Sequence, residues 1–115
     1  MIYAFEDLEL DTGAHELRRG GERVPVEPQV FDVLLFLVRH RERLVTRDEL
    51  LDAVWGHRFV TDATLASRLK AVRRAIGDSG SEQRLIRTVR GRGLRFVGEV
   101  DERDARAPAA SEPEP

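Results

Sequence analysis

The sequence has no cysteine, a single lysine among nineteen basic residues, and only one each of methionine, tryptophan and tyrosine. Without cysteine there is no disulfide staple, no thiolate metal site and no thiol nucleophile, which suits a reducing compartment. Long apolar runs are also missing. The longest, Val33 to Val38, falls far short of the ~20 residues that cross a bilayer, and Met1 to Leu10 carry no basic signal-peptide start. No membrane partner is expected, and the cytoplasm is the expected location. The three histidines, His15, His40 and His57, have no spacing that gathers metal ligands, and neither a Gly-x-Ser-x-Gly elbow nor a phosphate loop occurs. Neither enzyme activity nor a cofactor or metal is expected.

What is present suits one small domain. With 115 residues, 41% hydrophobic and 35% charged, the chain can bury a single core. Its formal charge of −2 conceals a division. Residues 1–60 hold 8 basic and 12 acidic residues, residues 61–98 hold 9 basic and 3 acidic, and residues 99–115 hold 2 basic and 6 acidic. The middle segment is thus a local +6 patch able to attract phosphate, over a range that salt limits to about 8 Å.

Residues 1–26 read as short strands: Ile2 to Phe5, Leu8 to Asp11, Glu16 to Arg18 and Arg23 to Val26, separated by Asp11-Thr12-Gly13 and Gly20-Gly21. They make a small antiparallel sheet, read here as a platform beneath the first helix rather than a binding edge. Pro28 suits the first turn of a helix, where a missing N–H costs little, and Val30 to Val38 is apolar on nearly every face. Thr46-Arg47-Asp48-Glu49 has the form of a capping box; Leu50, Leu51, Val54 and Trp55 supply the buried side of the helix it opens, and Gly56 ends it. Leu65, Leu69, Val72 and Ile76 recur at steps of four, three and four, predicting one buried stripe on a third helix over residues 61–77. Ala63, Thr64, Ser67, Lys70, Ala71 and Arg74 then face away, with Arg68 and Arg73 on the flanks. Two β-prone runs follow, Leu85 to Val89 and Leu94 to Val97, joined by Arg90-Gly91-Arg92-Gly93, whose glycines permit positive φ.

A helix face of small residues bordered by cations suits a DNA major groove, because short side chains let the backbone approach base edges while Arg and Lys reach phosphates. An ordinary solvated face has similar composition. The helix-then-hairpin order decides the matter further. With Val45-Thr46-Arg47-Asp48-Glu49-Leu50-Leu51, Val54-Trp55-Gly56 and Leu85-Ile86-Arg87-Thr88-Val89-Arg90-Gly91-Arg92-Gly93-Leu94-Arg95-Phe96, the chain resembles the winged-helix DNA-binding domain of OmpR/PhoB-type transcriptional regulators over about residues 3–98. The resemblance implies an α+β winged helix-turn-helix: N-terminal antiparallel sheet, three-helix core and C-terminal hairpin wing. The domain is assigned to residues 1–100; after Val100 the composition turns acidic and rich in Pro and Ala, with too little apolar surface to fold, so residues 101–115 are expected to be a disordered tail or linker.

The resemblance further implies base contacts by Thr64, Ser67, Arg68 and Ala71, phosphate contacts by Arg47, Trp55, Lys70, Arg73 and Thr88, and Arg90 in the minor groove, with Arg87 and Arg92 also on the wing. It places an RNA polymerase contact in the connection that includes His57, Arg58, Phe59 and Val60, although these residues also fit an ordinary connector. Dimerisation on DNA and residence at the bacterial nucleoid are further expectations. Ala63 and Ala71 stand where many members carry arginine, and Leu94 where tyrosine is usual, so no operator can be borrowed from a relative. No phosphoryl-accepting receiver domain precedes the winged helix in this sequence, and phosphorylation control is not expected. The rival reading is a winged helix that binds an acidic protein through its basic face.

Overall fold

A computed structural model describes residues 1–56 and 60–103. The chain divides into two compact units: residues 1–25 with 99 onward, and residues 26–98.

In the first unit, strands β1 (Ile2–Phe5), β2 (Leu8–Asp11), β3 (Glu16–Arg19) and β4 (Glu22–Val24) are joined by a fifth, C-terminal strand, Asp101–Arg103. With that last strand labelled β7, the antiparallel order is β4-β3-β2-β1-β7. Tyr3, Phe5, Leu8, Leu10 and Leu17 are buried, as alternation places them on one face. The turn after β2 forms because the Asp11 carboxylate accepts the amides of Gly13 and Ala14 at 3.0 and 3.1 Å.

Strand β7 corrects the expectation that residues 101–115 form an unstructured tail. Ile2 pairs with Arg103 and Ala4 with Asp101, and Arg103 Nη1 donates to Glu9 Oε2 at 3.2 Å from two strands away. Backbone pairing and one ion pair hold a segment too polar to announce itself. The remainder of the expected tail, 104–115, lies outside the described residues.

In the second unit, α1 (Pro28–Arg39) buries Val30, Phe31, Val33, Leu34, Leu37 and Val38. Helix α2 (Arg47–Trp55) opens on the expected capping box: Thr46 Oγ1 accepts the Glu49 amide at 3.1 Å, and Glu49 Oε1 accepts the Thr46 amide at 3.0 Å. A side-chain hydrogen bond from Arg43, with the Thr46 amide, lowers the Glu49 carboxyl to about 2. Only Leu50 and Trp55 are fully buried on α2, whereas Leu51 and Val54 are half-buried. Helix α3 (Asp62–Ala75) is capped by Thr61, whose hydroxyl accepts the Thr64 amide at 3.2 Å. Leu65, Val72 and Ile76 are buried as the stripe requires, but Leu69 is only half-buried.

The hairpin comprises β5 (Ile86–Val89) and β6 (Gly93–Phe96), each starting one residue away from the expected run. It joins the helices through a pair of hydrogen bonds, Val45 N–H to Leu94 C=O and Leu94 N–H to Val45 C=O, both 2.8 Å. That close approach fixes Gly93. Its φ is +149°, and a Cβ there would lie 2.1 Å from the Val45 carbonyl oxygen. Gly93→Ala should therefore cost about 2 kcal/mol or more, since backbone strain adds to a backbone clash. Chemical denaturation of the parent and variant checks this; an unchanged midpoint would show that the Val45–Leu94 ladder is not fixed.

Candidate nucleic-acid interface

Helix α3 presents Ala63, Ala66, Ser67, Lys70 and Arg74 to solvent, and the wing presents Arg87, Thr88, Arg90, Arg92 and Arg95. The two surfaces adjoin. A cleft of about 360 Å³ is lined by Leu65 and Leu69 of α3, Arg47 of α2, and Thr88, Val89, Gly91, Arg92, Gly93 and Leu94 of the wing. A second, of about 500 Å³, is lined by Ala66, Lys70, Arg73, Arg74, Asp78, Ser79 and Gly80. Arginines 47 and 92 thus border the same concavity as the helix, and Lys70 and Arg73 border the next.

The expected contact residues divide by what already holds them. Among the described residues, Lys70, Arg87, Arg90 and Arg92 have no hydrogen-bond or ion-pair partner. Arg47 is paired with Asp62 at the start of α3 and lies 3.8 Å from Asp48. Arg68 Nε donates to Gln29 Oε1 of α1 at 3.1 Å, which orients the side chain and leaves its terminal nitrogens without a partner among the described residues. Thr64 is half-buried, with its hydroxyl 3.0 Å from that of Thr61, and Ala71 is half-buried as well. Trp55, expected at a phosphate, is only 6% exposed and is a core residue, because α2 turns its indole inward. Val60 is half-buried; His57, Arg58 and Phe59 lie outside the described residues.

Arg73 and Thr88 were both expected to reach phosphate, but they bond to each other. Arg73 Nη2 donates to Thr88 Oγ1 at 2.9 Å and to the Ile86 carbonyl at 3.1 Å, while its Nε is buried without a partner among the described residues. Burial pulls this guanidinium below its ordinary pKa, and the charge of Asp78 pulls the other way; an arginine so placed still stays protonated near neutral pH.

Asp78, which sequence reasoning missed, is 8% exposed. Its carboxylate accepts the amides of Arg84, Leu85 and Ile86 at 2.8, 2.9 and 3.0 Å. Gln83 Oε1 accepts the Thr88 amide at 2.9 Å. The outward edge of β5 is thus covered by side chains from α3 and the loop behind it. An acidic residue three positions beyond the last helical residue, Ala75, was the available signal, and the basic surroundings obscured it. Gln29 and Asp62 carried no comparable signal.

Residues 21–96 match the family model described as "Transcriptional regulatory protein, C terminal". The chain belongs to this family. It is 34% identical over 96 residues to the phosphate regulon transcriptional regulatory protein PhoB of Escherichia coli, covering 83% of this chain and 42% of PhoB. It is 34% identical over 95 residues to the DNA-binding response regulator MtrA of Mycobacterium tuberculosis, covering 82% of this chain and 42% of MtrA. It therefore spans less than half the length of the curated relatives it matches. Among solved structures, the RstA DNA-binding domain of Klebsiella pneumoniae, in complex with the RstA box, superposes with a TM-score of 0.74 at 28% identity, covering 84% of this chain and 96% of that one. The OmpR/PhoB homologue DrrB of Thermotoga maritima gives 0.76 at 32% identity, covering 84% of this chain and 44% of that one. The winged-helix architecture expected from the sequence is the one the family shares.

For this family member, Asp78 sets a stability limit. Burial alone would raise its carboxyl, but the amides of Ile86, Leu85, Arg84 and Ser79 together hold it below the ordinary 3.8. A depressed folded pKa means that its contribution is complete above 3.8 and is lost as pH falls through the lower folded value. Asp78→Asn places an amide donor among backbone donors and should cost about 1.5–3 kcal/mol at neutral pH. It should also flatten the acid limb of stability below pH 3.8. Urea unfolding from pH 7 to pH 2 checks both; an unchanged acid limb would remove Asp78 as its source.

Proposed function

We propose that this domain binds double-stranded DNA sequence-specifically, with α3 in the major groove and the wing in the minor groove, and regulates bacterial transcription. The observation that carries the reading is the adjoining of α3's small-residue face to the arginine-tipped wing, with free cations on both. The RstA domain, similar over 84% of this chain, is described in complex with its RstA box.

Arg87 of β5 lies directly opposite Arg95 of β6, both exposed. Like charges directly across a strand pair disfavour the hairpin, and an anionic partner relieves that repulsion. In the groove, Ser67 and the terminal nitrogens of Arg68 meet base edges, with Thr64 and Ala71 alongside; Arg can pair bidentately with guanine. Lys70 meets phosphate, and so does Arg47 on exchanging Asp62 for the backbone. Arg90 enters the minor groove, where A·T-rich narrowing strengthens the negative potential, and Arg87 and Arg92 flank it. Trp55 supports this surface from the core. Two domains on paired half-sites would supply the affinity that one module, burying about 600–1,000 Å², lacks. The connection around Val60 is the surface left for RNA polymerase, and the cytoplasmic nucleoid is where this activity belongs.

Two measurements test the reading. With four or five phosphates neutralised, log affinity for duplex DNA should fall with log salt at a slope of about −4. A flat response, or no duplex binding at low salt, would favour an acidic protein partner instead. Selection of bound duplexes from a random pool should give a motif that Arg68→Ala relaxes at one or two positions, costing about 1–3 kcal/mol there. An unaltered motif would remove Arg68 from the base contacts.

A further inference from the structure

Arg73 lies on the flank of α3 yet spends its guanidinium on the wing, at the Ile86 carbonyl and the Thr88 hydroxyl. The inner strand of the hairpin, β6, bonds Val45, while β5 is the outer strand. Asp78 and Gln83 fasten the amides of that outer strand. Both belong to the loop following α3, so they link β5 to a connecting segment rather than to the helix itself. Among the described residues, Arg73 Nη2 is what bonds the helix directly to the outer strand, five residues along α3 from Arg68 and two residues from the Arg90 tip through Thr88.

We infer that Arg73 is a positioning residue that sets the distance and angle between the recognition helix and the wing, so that Arg90 reaches the minor groove while α3 occupies the major groove. This rests on the DNA-binding reading above and replaces the phosphate contact expected of Arg73 and Thr88. A phosphate contact needs only a charge near the backbone. A tether needs donors held in a fixed direction: both bonds leave one nitrogen, Nη2, whose N–H groups lie in the rigid guanidinium plane, whereas a lysine ammonium turns freely on its stem. Two elements that must enter adjacent grooves together bind well only when their spacing is set in advance.

The test is a double-mutant cycle on duplex DNA carrying the selected motif, at a temperature where all variants are folded, with Arg73→Ala, Arg90→Ala and the double variant. In the parent, Arg90→Ala should weaken binding about tenfold, and in the Arg73→Ala background by less than about twofold, because a displaced wing no longer delivers Arg90. Arg73→Ala alone should weaken binding about tenfold without changing the slope of log affinity against log salt, and Arg73→Lys should not restore affinity. Thr88→Val, which removes the hydroxyl and leaves every charge in place, should reproduce the loss of Arg90 coupling and serves where Arg73→Ala fails to fold.

Additive losses from Arg73→Ala and Arg90→Ala would overturn the proposal, as would rescue by lysine or a slope reduced by about 0.9, the mark of one lost phosphate contact. Those results would leave DNA binding intact. Absence of duplex binding by the parent chain would instead overturn the DNA reading, and this inference with it.

Discussion

The outer edge of β5 is the place on which the presentation of this surface depends. A strand edge in a two-stranded hairpin exposes backbone donors and acceptors, and left bare it invites pairing with another chain. Here the amides of Leu85 and Ile86 are taken by Asp78, the Ile86 carbonyl by Arg73, and the Thr88 amide by Gln83. The other side is joined to the helices by Val45 and Leu94. A short ribbon of marginal intrinsic stability thereby acquires a fixed seat against α3. Buried charge assists because the three amides that meet Asp78 converge on one carboxylate, and charge-assisted hydrogen bonds are stronger than neutral ones.

That seat explains why the cations of residues 61–98 do not act alike. Arg68 and Arg73 are engaged by Gln29 and by the wing, and Arg95 Nε donates to the Arg41 carbonyl at 3.1 Å. Arg47, outside this segment, is matched with Asp62. Lys70, Arg87, Arg90 and Arg92 remain exposed. Net segment charge therefore overstates the charge available to a ligand, and the tethered arginines contribute order instead. The Arg47–Asp62 pair is open to solvent, where such pairs contribute little to stability, so exchange of Asp62 for a phosphate is a small expense.

Features carried by local chemistry were legible in the sequence. The 3.6-residue spacing of Leu65, Val72 and Ile76 located α3 and its buried side; Thr46 and Glu49 located the start of α2; Pro28 located α1. Features that depend on where a long side chain ends were not. Arg68 and Arg73 sit on flanks from which a guanidinium can turn outward or inward, and both turned to protein acceptors that lie 39 and 13 to 15 residues away in sequence. Trp55 could be assigned to a surface by resemblance, but its burial follows from packing. Strand β7 was illegible for a different reason. Asp101-Glu102-Arg103 lacks apolar alternation, and its pairing uses backbone groups and the small Ala4, across which Arg103 reaches Glu9.

On the DNA-binding reading, this division of labour separates affinity from sequence choice. Free cations at the rim of α3 and along the wing act through phosphate, a term that salt weakens and sequence barely alters. Sequence choice falls to the few groups able to meet a base edge: Ser67, the oriented end of Arg68, and Arg90. Ala63, Ala66 and Ala71 add no donors or acceptors, yet they lower the face of the helix, and a lower face lets those few polar groups reach the floor of the groove. With so few readers, one domain distinguishes a short stretch of duplex. Longer recognition then requires either a second copy or another DNA-contacting segment, and rigid placement of Arg90 against α3 determines how far apart the two grooves read by one copy must lie.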